Sequence, residues 1–153
     1  MVHLSHHKTR IYLLVCAVLL LTIGGFVYLF FRRPVLLLHV LLEKTHLSSL
    51  IEQGRMAAAD IHLPSFVVYN LPAALWSTAY ILVSEALFLH LPVRQRICWA
   101  SVVPALGVLS EVLQGAHLLP GHFDWIDLLS YLLPFGVYVA VCCFRTKRYR
   151  FFL

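Results

Sequence analysis

Ile11 to Phe31 is a run of 21 residues without a charge, bracketed by Lys8 and Arg10 before it and Arg32 and Arg33 after it. Lipid offers no partner to an exposed backbone N–H or C=O. Such a run therefore reads as a helix, and about 20 apolar residues are enough to cross about 30 Å of hydrocarbon. A secretory leader has a shorter apolar core and a small-residue cleavage site. Neither feature is present, so the run reads as a retained anchor. Three similar runs follow, at Leu63–Leu89, Ile97–Leu119 and Trp125–Phe144. Across the 153 residues 61% are apolar and 12% charged, and the mean hydropathy is +0.84. A soluble domain needs a polar shell that such a chain cannot supply. The same numbers exclude a disordered chain, and four cysteines are too few for a disulfide scaffold. The reading is a single all-α domain over 1–153, a polytopic four-transmembrane-helix bundle with spans at about 11–31, 63–89, 97–119 and 125–144.

The connections are unequal. The longest, Arg32 to His62, begins at Pro34, which stops the first helix. Its apolar stretch VLLLHVLL is too short to cross, so a helical segment lying in the interface is expected between helices 1 and 2. Pro72 is expected to kink the second helix. With four spans both termini share a side. Lys and Arg number 8 on that side and 4 on the other, and the positive-inside rule then puts both termini in the cytoplasm. Arg32 and Arg33, at the far end of the first span, run against that balance.

Several features have plain readings. Cys16, Cys98, Cys142 and Cys143 fall in or beside spans with no CxxC spacing, and read as small apolar filler. The RTKRYR tail is a topology anchor that attracts anionic lipid, not a nucleic-acid patch. His3, His6 and His7 sit on a short terminus. No phosphate loop, GxSxG or HExxH occurs. No cofactor and no metal site is expected.

One polar constellation stands out. Glu111 and Gln114 share a helix face. Counted back from Leu118, Glu111 lies about 10 Å below the outer end of its span, too deep to cap a helix. An ionised carboxylate there needs a cation, several donors or water. The tight PGHFD turn makes the next helix its neighbour. Asp124 is a natural N-cap, Asp127 suits the positive end of the helix dipole, and Tyr131 lies one turn further in. Asn70, counted from Leu63, reaches the same depth on the second span. His117, His122, Arg55 and Asp60 could cap the group from the loops. Glu85, near the opposite end, is expected to reach the interface and pair with Arg94 or Arg96.

The stretch from Ser110-Glu111-Val112-Leu113-Gln114 through Leu119-Pro120-Gly121-His122-Phe123-Asp124-Trp125-Ile126-Asp127 to Gly136 resembles the VanZ-like family. That family's signature is similar to E-x-x-Q, a Pro-Gly turn, then D-x-x-D and a downstream small residue. The matches are Glu111, Gln114, Pro120, Gly121, Asp124 and Asp127, within residues 105–140, about a quarter of the chain. His122 stands where members often carry Arg, and Tyr131 and Pro134 stand where many carry Asn near the final Gly. The resemblance implies a short protein of about four spans in the bacterial cytoplasmic membrane, with a link to glycopeptide (teicoplanin) resistance. It implies a fold and an envelope context rather than a particular reaction.

Two functions follow as expectations. In the first, Asn70, Glu111, Gln114, His122, Asp124, Asp127 and Tyr131 form a polar, acidic pocket near the outer face. The pocket binds an envelope precursor, a membrane lipid or a membrane-protein partner. In the alternative, the chain is a membrane-embedded enzyme acting on a lipid or cell-wall precursor, with Glu111 as general base and Asp127 or His122 as acid. A metal version would use Glu111, His117, His122 and Asp124. The first is favoured because no nucleophile–base–oxyanion set is apparent. A purely structural Glu111, hydrogen-bonded to Tyr131 or Asn70, is a third reading. Ion passage ranks low, because the middle of the bundle offers only Ser77, Thr78 and Ser101.

Overall fold

The structure, a computed structural model, describes residues 2–32 and 48–150, with side chains over 6–32 and 48–145. It is an all-α membrane bundle, with no strand among the described residues. The helices are α1 (Val2–Phe31), α2 (Ser48–Ala57), α3 (Ser65–Tyr69), α4 (Leu71–Phe88), α5 (Val93–Ala100), α6 (Val102–Gly115) and α7 (Trp125–Arg150). Four stretches are long and apolar enough to span: His6–Phe31, Leu71–Phe88, Val93–Gly115 and Trp125–Arg145. Large apolar side chains such as Tyr12, Val18, Leu106 and Leu133 point outward. That inversion of a soluble fold is what a lipid solvent permits.

The second and third spans are interrupted, for a common reason. The second breaks at Asn70, and Pro72 then falls at the second position of α4, where a missing N–H leaves no bond unmade. The expected kink at Pro72 is thus a break two residues earlier. The third span starts at Val93 and breaks at Ser101, three residues before Pro104, which cannot donate to the carbonyl one turn back. Arg94 and Arg96 consequently lie on helix α5 rather than in a loop.

The third span also ends sooner than expected, at Gly115 instead of Leu119. His117 adopts the left-handed conformation, with φ of 58°. Its N–H donates to the Gln114 carbonyl at 3.0 Å and the Leu118 N–H donates to the Leu113 carbonyl at 2.9 Å. This is the paired closure of a Schellman motif, normally built on glycine. Pattern reading missed it because a histidine stands in the glycine position.

α4 is the central helix. It packs against α1 on one side and α7 on another, and α7 in turn packs on α6. Gly24 of α1 permits the α1–α4 approach, since a Cβ there would lie 2.7 Å from the Trp76 indole nitrogen. Tyr28 packs on the same indole with ring centroids 5.3 Å apart. Between the first two spans, α2 folds back on the end of α1. Arg55 donates to the carbonyls of Leu29 at 2.8 Å and Arg32 at 3.1 Å. A cation at a helix C-terminus satisfies both the orphan carbonyls and the dipole. The VLLLHVLL stretch lies outside the described residues.

Candidate functional site

Apart from Ser77 in the middle of α4, the buried polar residues lie towards the two ends of the bundle. At the end formed by the long loop and the PGHFD turn, hereafter the loop end, Asn70 is buried between α3 and α4. Its amide donates to Asp127 Oδ1 of α7 at 2.7 Å. Asp124 is the N-cap of α7, accepting the Ile126 N–H on Oδ1 at 2.8 Å. Glu111, buried in α6, accepts the Asp124 N–H on Oε2 at 3.2 Å. Three helices therefore meet through two carboxylates and one amide. Each carboxylate engages one oxygen. Glu111 Oε1 and Asp127 Oδ2 have no hydrogen-bond partner among the described residues.

This geometry corrects the depth inferred from the sequence. Because α6 stops at Gly115, Glu111 lies four residues from its end, about 6 Å rather than about 10 Å. Asn70 likewise sits at the mouth of the Leu71–Phe88 span. Glu111 is also not too deep to cap. It meets the positive N-terminal end of α7 through the Asp124 N–H, where an anion is favoured.

The remaining expected residues divide. Tyr131 belongs to the cluster: its phenol lies within electrostatic reach of Asp127, Glu111 and Arg32. Its ring fills the space over Gly107, where an added Cβ would come within 2.5 Å. Gln114 turns away. Its amide donates to Ser110 Oγ at 3.4 Å and lies against Gly121, whose φ of 134° excludes other residues without strain. His122 is exposed and is not drawn in. Glu111, His117, His122 and Asp124 do not converge into a group that could hold a metal ion. Arg55 serves the end of α1, and Asp60 is exposed in the loop.

Sequence reasoning missed Arg32. Its guanidinium lies over the rings of Tyr28 and Tyr69, 5.1 and 5.7 Å from their centroids. It lies within electrostatic reach of Tyr131, and it makes no ion pair with Glu111 or Asp127 among the described residues. The signal was available, since a basic residue at the less basic end of a span breaks the charge rule and needs a local reason. Below the cluster, an apolar groove of about 380 Å³ opens between α6 and α7. It is lined by Val112, next to Glu111, by Leu132, next to Tyr131, and further in by Pro104 and Phe135.

At the opposite end, which holds both described ends of the chain, Glu85 of α4 is buried. Arg96 of α5 pairs with its Oε1, and the Tyr138 hydroxyl of α7 donates to Oε2 at 2.7 Å. The Arg96 pairing was among the two expected. Burial of the pair and the part played by Tyr138 were not.

Compared with family models, with curated proteins and with solved structures, the chain finds no match.

Proposed function

We propose that this chain is a VanZ-like integral membrane protein of the bacterial cell envelope. In this reading its loop-end cluster binds a polar envelope component or a membrane-protein partner. Both termini face the cytoplasm, by the positive-inside balance, and the loop end faces outward in the cytoplasmic membrane. The motif Glu111, Gln114, Pro120, Gly121, Asp124 and Asp127 supports the family, and through it a link to glycopeptide resistance.

The observation that carries the reading is the half-used state of the two carboxylates. Acidic groups in a span are expensive unless they have work to do. Glu111 and Asp127 are held by Asp124 and Asn70 through one oxygen each, leaving Oε1 and Oδ2 free to accept from a hydroxyl or ammonium group. Arg32, within electrostatic reach of Tyr131, adds a cation to the same end. The adjacent α6–α7 groove suits an apolar chain attached to such a head group, which favours a lipid-linked component.

The test is the composition of lipid and protein that co-purifies with the wild-type chain and with Glu111→Gln from bacterial membranes. Depletion of one component from Glu111→Gln, at normal expression, is expected. Identical profiles would overturn the reading. Expression in a teicoplanin-susceptible strain tests the family link separately, with a shift in susceptibility that Glu111→Gln abolishes.

A further inference from the structure

At the end of the bundle opposite the acidic cluster, the first turns of α1 face the residues that follow α4. His6, His7, Arg10, Leu89 and His90 line a cleft of about 300 Å³. The four polar side chains all present nitrogen, and no carboxylate lines the cleft. His6 and Arg10 are four residues apart and His7 and Arg10 three, so all three side chains reach one patch of the helix surface. His90 approaches from the second chain segment.

The position matters as much as the composition. The span His6–Phe31 begins at this cleft and the span Leu71–Phe88 ends beside it, at the level of lipid head groups. Leu89 adds an apolar wall. Arg94 and Arg145 lie towards the same end, where the charge of Arg96 is matched by Glu85, so its surroundings are net basic as well. A guanidinium flanked by imidazole nitrogens matches the oxygens of a phosphate, through charge-assisted and oriented hydrogen bonds.

We propose that this cleft is a binding site for a phosphate-bearing anion, with an anionic phospholipid head group as the membrane source and a free phosphate as the soluble one. The site is separate from the Glu111 cluster and does not rest on the function proposed for it.

The full chain in detergent micelles is titrated calorimetrically with dioctanoyl phosphatidic acid, dioctanoyl phosphatidylcholine and inorganic phosphate. Phosphatidic acid is expected to bind about tenfold more tightly than phosphatidylcholine, whose choline cation meets a basic cleft. Arg10→Gln and the pair His6→Ala with His90→Ala each weaken phosphatidic acid by about tenfold, and Arg10→Lys recovers part of the loss. Arg94→Gln, outside the cleft, changes affinity by less than about twofold. All these side chains are exposed, and unchanged melting curves verify that the variants fold. Inorganic phosphate binding as tightly as phosphatidic acid, with the same dependence on Arg10, supports the site and assigns the soluble source. Equal binding of the two lipids, or equal losses from Arg10→Gln and Arg94→Gln, would overturn the proposal.

Discussion

Glu85 and Glu111 are both buried in spans at opposite ends of the bundle, and they are satisfied to different degrees. Glu85 engages both oxygens within its own chain, one with Arg96 and one with the Tyr138 hydroxyl. Glu111 engages one, on a backbone N–H, and its neighbour Asp127 also engages one, on Asn70. The Glu85 network joins three helices through both carboxylate oxygens, while the buried Arg96 Nε finds no partner among the described residues. In the Glu111 cluster one oxygen of each carboxylate keeps its acceptor capacity. Similar burial thus hides different bonding: Glu85 binds α4 to α5 and α7, whereas Glu111 and Asp127 keep an unused oxygen each, which the proposed function takes as the receptive end.

The comparison breaks most readily at Glu85. Arg96→Met leaves a buried carboxylate without its cation and is expected to destabilise the protein by about 3–5 kcal/mol. The double variant with Glu85→Leu is expected to recover most of that loss, because replacing both members of a buried pair is far cheaper than removing one. Unfolding curves in micelles measure both. An Arg96→Met variant as stable as wild type would mean that the two ends do not differ as described.

A smaller effect sharpens the other side. Gly107→Ala forces the Tyr131 ring away from α6 and is expected to cost about 1–3 kcal/mol. Tyr131→Ala in the same chain relieves the clash, so the double variant is more stable than the sum of the singles implies. The smallest effect comes from the turn that sets the depth of Glu111. His117→Gly removes the left-handed strain and is expected to stabilise by about 1 kcal/mol. A loss of stability there would mean that the His117 side chain holds the turn by contacts of its own.

Spans were legible because an uncharged apolar run of 20 residues has few other fates in water or lipid. A grouping of Asn70, Glu111, Asp127 and Tyr131 at one end was expected from the sequence, but the particular Asn70–Asp127 bond was not, and the depth used to place Glu111 was too great. What escaped depended on tertiary packing. No local pattern marks a histidine in the left-handed position, so α6 was drawn four residues too long and Glu111 was set too deep. The breaks at Asn70 and Ser101 precede their prolines by two and three residues, and hydropathy averages over both. Tyr138 is spaced like any other apolar residue on α7, and only its contact with Glu85 distinguishes it. Arg32 was visible as an anomaly of charge balance, but its rings come from α1 itself and from Tyr69, far along the chain.

The most direct test pairs stability with binding in two conservative variants. Asp127→Asn keeps an acceptor for Asn70, and Glu111→Gln keeps one for the Asp124 N–H, so each removes charge with little change in shape. Both are purified beside wild type, melted in micelles, and analysed for co-purifying lipid and protein. The expected result is a stability change within about 1 kcal/mol for each variant together with loss of the same polar envelope component. Unchanged co-purification from both variants would contradict the assignment of the loop end as the receptive one.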